Sequence, residues 1–394
     1  MHFSRYSVAG ALFLVCATLV DSPARAQDIE REFEVSPGGR LTLRSDAGPI
    51  TVRTWDQPRV RVRVINPEAF EVSFEQSQNQ VRVVAEDDRG RSRIRFEADV
   101  PTEFDLELDT GGGAIEVAGL NGDVYADTSG GNITLSRVDN GDVVADTSGG
   151  RIEIGEVTNG NVVADTSGGR ITIGNVIGNV EADTSGGNIT IGDVDGNVSA
   201  DTSGGRIRVG QVTGNVSLDT SGGSIEAGYA GGTMTADTSG GNITLAGSDR
   251  LLIADTSGGT IRIARSGGPV RVDTSGGNIF LGAIDGYIEA DTSGGSIEAE
   301  LGLIEPGQDA HIDLESSGGD IDLRIPGNHA ATVDARIQVS RRSRGDYRIY
   351  TDFPLVITGV DEREVIGRGD INGGGDRIRI ETSNGDIRIM RIEP

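Results

Sequence analysis

Residues 182–191 read ADTSGGNITI, and this phrase decides the fold because the chain repeats it. The Asp of DTSGG recurs at Asp127, Asp146, Asp165, Asp183, Asp201, Asp219, Asp237, Asp255, Asp273 and Asp291. The first two steps are 19 residues long and the others are 18. Degenerate copies flank the array at Asp109-Thr110-Gly111-Gly112, Glu315-Ser316-Ser317-Gly318-Gly319 and Glu381-Thr382-Ser383-Asn384-Gly385. The longer steps contain Asn140-Gly141 and Asn159-Gly160 where other units have a lone Gly, which places the added residue in a turn. A fixed period of this length is the mark of a stacked repeat.

Within each unit the seventh position, counted from Asp, is always Ile, as in Ile133, Ile189 and Ile225. The ninth is apolar, as in Leu135, Ile173 and Val209. Apolar residues therefore alternate with period two between glycines, which predicts short strands joined by turns. Gly pairs would break a helix. The pattern predicts one strand ending in Asp-Thr-Ser with Val, Ala and Thr inward and Asp and Ser outward. A Gly-Gly corner follows, expected to need backbone angles that a Cβ resists. A second strand directs two aliphatics inward, and a third segment adds one more at Val176 or Val194.

Five buried side chains do not offset the conformational entropy of ordering a whole unit. One unit is thus unstable alone and folds only by pairing with its copies above and below. The expected fold is all-β, a parallel β-solenoid with 18-residue coils and irregular β caps at both ends. Left-handed hexapeptide solenoids want an aliphatic every six residues, and this phrase lacks it. A right-handed helix is favoured, in keeping with the hand of parallel crossovers. Ten units at about 4.8 Å each make a rod of roughly 50 Å.

Composition agrees. The 394 residues include 60 Gly and 11 Pro, too few Pro and too long a Gly period for collagen. Aromatics are 4%, so Ile, Val, Leu and Ala build the interior. The net charge of −26, with every basic residue an Arg, argues against nucleic acid and anionic lipid headgroups as partners. Residues 1–26 have the form of a secretory signal: Arg5, an apolar run over 8–20, and Ala24-Arg25-Ala26 before Gln27. The apolar run is too short to span a membrane, and no later stretch is apolar enough. Cys16, the only cysteine, lies in this segment. The mature chain is expected outside the cytoplasm, in the periplasm or at the cell surface.

Three regions follow the signal: an N-terminal β cap with entry coils over 27–108, the DTSGG solenoid over 109–325, and C-terminal coils with a cap over 326–394. In the first, RVRVRV at 59–64 and RSRIRF at 91–96 alternate as half-exposed strands, and Trp55, Phe33, Phe70, Phe74 and Phe104 gather the aromatics. Terminal coils need atypical sequences that stop end-to-end pairing.

With GPITV at 48–52, VP at 100–101 before LELDT at 106–110, the ten DTSGG copies, and GDINGGG at 369–375 leading to TSNGDI at 382–387, the chain resembles the bacterial putative-adhesin family of β-strand-repeat proteins. The resemblance spans nearly the whole mature chain. It implies the β-repeat fold and an adhesin-like role, and it carries over no catalytic residues.

Four features bear on chemistry. The ten aligned Asp form an acidic ladder of carboxylates about 4.8 Å apart, each pair repelling by roughly 0.9 kcal/mol at the dielectric of water. Corner N–H groups accepted by each Asp, with Arg151, Arg170 and Arg206 nearby, are expected to offset this. Calcium is the competing explanation, but one Asp and one Ser per coil fall short of six to eight oxygens. The Thr column would suit an ice-binding face only if it pointed outward. Arg344-Gly345-Asp346 and Arg368-Gly369-Asp370 match the integrin tripeptide at the rate chance allows. His311 and His329 have neither metal-ligand spacing nor a nucleophile nearby. No catalytic residues, metal ligands or cofactors are expected. Turns of two to five residues over ten coils leave no wall for a pocket.

The sequence thus predicts an exported, non-enzymatic β-solenoid of the cell envelope, an adhesin-like presenter or binder of a surface ligand, glycan or protein. The alternatives are a carbohydrate-active β-helix enzyme, lyase or hydrolase, and a polymer-forming scaffold.

Overall fold

The computed structural model describes residues 28–87, 93–341, 343, 345–359 and 363–392. The expected signal segment, Cys16 and Arg344 lie outside them. Among the described residues there are forty strands and no helix, arranged as two mostly parallel sheets of 21 and 19 strands. Neither closes into a barrel. The pairings of the second sheet end at Phe70–Ser77 on one side and Val356–Thr358 on the other. No helix among the described residues is long and apolar enough to cross a membrane.

Each DTSGG unit gives one strand to the second sheet and one to the first, split into two short pieces in the Asp165 and Asp183 units, in an arrangement consistent with a β-solenoid. In the first set, Val162–Thr166 pairs in parallel with Val180–Thr184, placing Val on Val, Ala on Ala, Asp on Asp and Thr on Thr. In the second, Ile171 pairs with Ile189, Ile189 with Ile207 and Ile207 with Ile225. Like thus stacks on like. The inward Val, Ala and Ile side chains merge into one continuous core running the length of the array. The added Asn140 and Asn159 sit in turns with left-handed φ of 49° and 57°, a conformation Asn tolerates.

The corner is built differently from the sequence expectation. Its Thr is buried, and its hydroxyl donates to the second-Gly carbonyl of the preceding corner. Thr147 Oγ1 reaches Gly131 O at 2.9 Å, and Thr202 Oγ1 reaches Gly187 O at 3.0 Å. The same oxygen accepts from its own second Gly, as Gly150 N and Gly205 N do at 3.2 Å. One hydroxyl therefore closes its corner and stitches it to the unit before. The two glycines also differ. Neither takes a left-handed φ, so backbone angle is not their reason. A Cβ on Gly205 would lie 1.7 Å from Gly187 O, whereas one on Gly204 would find nothing nearer than 3.9 Å. The second Gly lets corner backbones stack; the first has room to spare.

Both ends reverse the order of the chain. The first unit, Gly39–Ser45 with Ile50–Trp55, lies between residues 80–101 and 104–117, pairing in parallel with both. At the other end, Asp376–Ser383 with Ile387–Ile392 inserts between residues 312–326 and 331–351. Antiparallel strands then cover both sheets at the N-terminal end and the second sheet at the C-terminal end, where the first sheet stops at Ile349–Thr351, paired in parallel. Arg59–Ile65 lies against Arg95–Pro101, Phe70–Ser77 against Gln80–Asp87, and Glu364–Ile371 against Ala331–Gln338. The strand expected over 91–96 begins only at Arg95, with residues 91 and 92 outside the described set.

Candidate functional site

Two surfaces emerge from this scaffold. The first is the acidic ladder. In-register pairing puts Asp127, Asp146, Asp165, Asp183, Asp201, Asp219, Asp237, Asp255, Asp273 and Asp291 in single file. Asp109 extends the file at one end, and Glu315 and Glu381 extend it at the other. An arginine terminates each end, Arg44 opposite Asp109 and Arg336 opposite Glu381. At strand spacing the carboxylates span about 58 Å.

The expected balancing of this charge by corner N–H groups is not what the structure has. Among the described residues no Ser-Gly-Gly N–H donates to a ladder Asp, because the Thr hydroxyl takes the second-Gly N–H; one strand N–H, that of Asp273, reaches Asp255. Arg151 lies 4.0 Å from Glu153 rather than on the ladder. The ion pairs made to the file itself lie at its C-terminal end, where Arg379 reaches Asp313 at 3.2 Å, Glu315 at 3.6 Å and Glu381 at 2.8 Å, while the charges of Arg44 and Arg271 act on Asp109 and Asp255. Mid-array, partial burial raises the carboxyl pKa of Asp146, Asp183, Asp201 and Asp237 above the ordinary range, and the adjoining Asp adds to it.

The second surface was not foreseen. The step from Asp291 to Glu315 is 24 residues, and the pairing Asp291↔Glu315 keeps the register across it. The extra residues form a loop over 302–310 that stands out from the array. Leu303 N–H donates to Asp285 Oδ1 at 2.7 Å, and Gln308 Nε2 donates to the Asp285 carbonyl at 2.7 Å. Gly307 turns the loop with a φ of 85°. The loop forms one wall of a cleft of about 1060 Å³, which Tyr229, Arg265, Glu300, Leu303, Asn328 and Arg391 also line. The inference that short turns leave no pocket fails here, and only here does the array carry so long an insertion.

Electrostatics at this cleft are mixed. Tyr229 donates to Asp249 at 2.7 Å, and the Arg265 guanidinium lies 4.8 Å from the Tyr229 ring centre. Burial, then the hydrogen bond and charge of Asp249, push the Tyr229 phenol up. Arg391 stacks 5.3 Å from Phe353. On the neighbouring face His311 stacks on Tyr287 at 4.8 Å and bridges Asp309 at 2.8 Å and Glu289 at 3.4 Å. Burial works to lower the His311 pKa, but the bonds and charges of Asp309 and Glu289 outweigh it and hold the imidazole above its usual range.

The remaining sequence candidates find ordinary places. The Thr column faces the core, which removes an ice-binding surface. Arg368 and Asp370 lie in a strand, bound to Asp334 at 3.1 Å and Thr332 at 2.9 Å. The ring of His329 is half-buried, and burial lowers its pKa.

No family model matches the chain, and no curated protein matches it. Solved structures do. One is a putative cell adhesion protein from Clostridium sporogenes, 8% identical, covering 93% of this chain and 100% of its own at a TM-score of 0.15. Another is a putative adhesin from Parabacteroides distasonis, 15% identical, covering 69% and 97% at a TM-score of 0.27. The structural neighbours include putative adhesins. A third, a putative lipid binding protein from the same organism, is 16% identical and covers 71% and 96%, also at 0.27. At these TM-scores the likeness carries no argument about function.

Proposed function

We propose that this chain is an exported, non-enzymatic β-solenoid of the cell envelope that holds an extended, adhesin-like binding surface. In this reading the solenoid is right-handed with coils of 18 residues. Residues 27–108 and 326–394 act as caps, and 109–325 are the presenting rod. One observation carries the reading: outward side chains repeat in register at strand spacing along the whole array, as Asp183, Asp201, Asp219 and Asp237 do. A surface ruled in this way suits many weak, simultaneous contacts with a repetitive ligand, where avidity exceeds any single affinity. Antiparallel strands at the N-terminal end of both sheets and at the C-terminal end of the second, together with an edge strand of only three residues, Ile349–Thr351, at the C-terminal end of the first, speak against open-ended polymerisation. The test is a retention screen of the mature chain on insoluble polysaccharides and on whole cells. Retention with the polymer left intact is expected, and absence of retention on every surface would overturn the proposal.

A further inference from the structure

We infer that the cleft beside the loop over 302–310 is a binding groove for a linear glycan strand. The inference rests on the reading of the chain as a binder and names the place and ligand class. The groove runs across the strands, along the stacking direction. Six strand steps separate the Tyr229 unit from the Arg391 unit, about 29 Å at strand spacing. Only an elongated ligand fills such a shape.

Its chemistry narrows the class. The strands beneath it are paired on both sides, so no free edge offers backbone partners to an extended peptide. Asp249, Asp285 and Glu300 stand against Arg265 and Arg391, a balance that disfavours a polyanion such as nucleic acid. Leu303, 82% exposed, projects from the wall as an isolated apolar contact, too small for a lipid tail but matched to one face of a sugar ring. Among the described residues the guanidiniums of Arg265 and Arg391 have no carboxylate partner, and each is held over an aromatic ring. Asp249 is occupied by Tyr229 and Asp285 by Leu303 N–H, while Glu300 accepts from no described group. Two pre-positioned donor forks, one free acceptor and one apolar contact, set along a 1060 Å³ groove, are the equipment for hydroxyl-rich rings.

The experiment is calorimetric titration of the full mature chain with two hexasaccharides, one of N-acetylglucosamine and one of galacturonate, and with the corresponding disaccharides. The N-acetylglucosamine hexasaccharide is expected to bind, tenfold or more tighter than its disaccharide because it spans the groove. Arg265→Ala with Arg391→Ala should weaken that binding at least tenfold, and so should Leu303→Asp. Arg53→Ala, exposed on the N-terminal cap strand Ile50–Trp55, should leave it unchanged. All three side chains point outward, and unchanged thermal unfolding of the variants confirms their folds. Binding of the N-acetylglucosamine hexasaccharide supports the groove, whereas binding of the galacturonate hexasaccharide alone, a polyanion that the lining disfavours, overturns it. Binding that survives the double Arg substitution, or failure of both hexasaccharides, overturns it. If the chain is still retained on polysaccharide in that case, the groove is wrong and the broader proposal stands.

Discussion

Replacing Thr202 by Val keeps the shape of the corner and removes only its hydroxyl. That hydroxyl donates to Gly187 O at 3.0 Å and accepts from Gly205 N at 3.2 Å, in a residue with no exposed surface. Val leaves one carbonyl and one N–H without partners in a closed corner. Each orphaned group costs about 1–3 kcal/mol. Relief from burying the hydroxyl itself offsets part of this, so the expected loss is about 2–4 kcal/mol. Thr202→Ser is the control, because Ser316 already fills this position in its own unit and donates to Gly295 O at 2.8 Å. It should lose only a buried methyl, about 1 kcal/mol. Urea denaturation of both variants beside the parent gives the comparison. Repeat arrays need not unfold in one step, so amide exchange at Gly205 should accompany it and quicken in the Val variant alone. If Val and Ser variants are equally stable, the corner hydroxyl does not stitch the units.

Other consequences are as direct. Gly204→Ala should be nearly silent, whereas Gly205→Ala should disrupt folding of the array, since its Cβ would meet Gly187 O at 1.7 Å; circular dichroism melts of the two separate them. Asp201→Asn should stabilise the chain at pH 7 by about 1 kcal/mol at low salt, from two neighbours at roughly 0.9 kcal/mol each less screening. A raised carboxyl pKa contributes stability that is present below the ordinary value near 3.8 and lost as pH rises through the folded value. The advantage of the Asn variant should therefore vanish in acid and shrink in molar salt. His311 has a raised pKa too, so its contribution is present below about pH 6.5 and lost as pH rises through the folded value. Stability measured from pH 6 to 8 should fall less steeply in His311→Gln than in the parent.

The array was legible because period and alternation constrain it at every position. Ile189 and Ile207 could face only inward once the Gly pairs ruled out a helix, and register followed from the repeat itself. The corner was read for its placement and not for its bonds. Asp and Thr both accept and position hydrogen bonds, and only the inward direction of Thr, visible in the alternation, could have assigned the role to it. A single unit suggests backbone angle as the reason for both glycines, but contact with the preceding corner governs the second, and a single unit does not display that contact. The swapped order of the end units left no local trace, since pairing of residues 376–392 with 312–326 joins segments with unremarkable patterns of their own. The cleft had a signal: the step from Asp291 to Glu315 breaks the period by six residues, and an insertion in a strict repeat marks a loop that the core does not require.

The central claim is that this rod binds without turning over what it binds. Mature chain incubated with the polysaccharide that retains it best, then assayed for sedimented protein and for newly released chain ends, tests both halves together. Protein in the pellet and a constant count of chain ends over many hours are expected. A rising count, proportional to protein and abolished by replacing the carboxylates of Asp285 and Glu300, would contradict it.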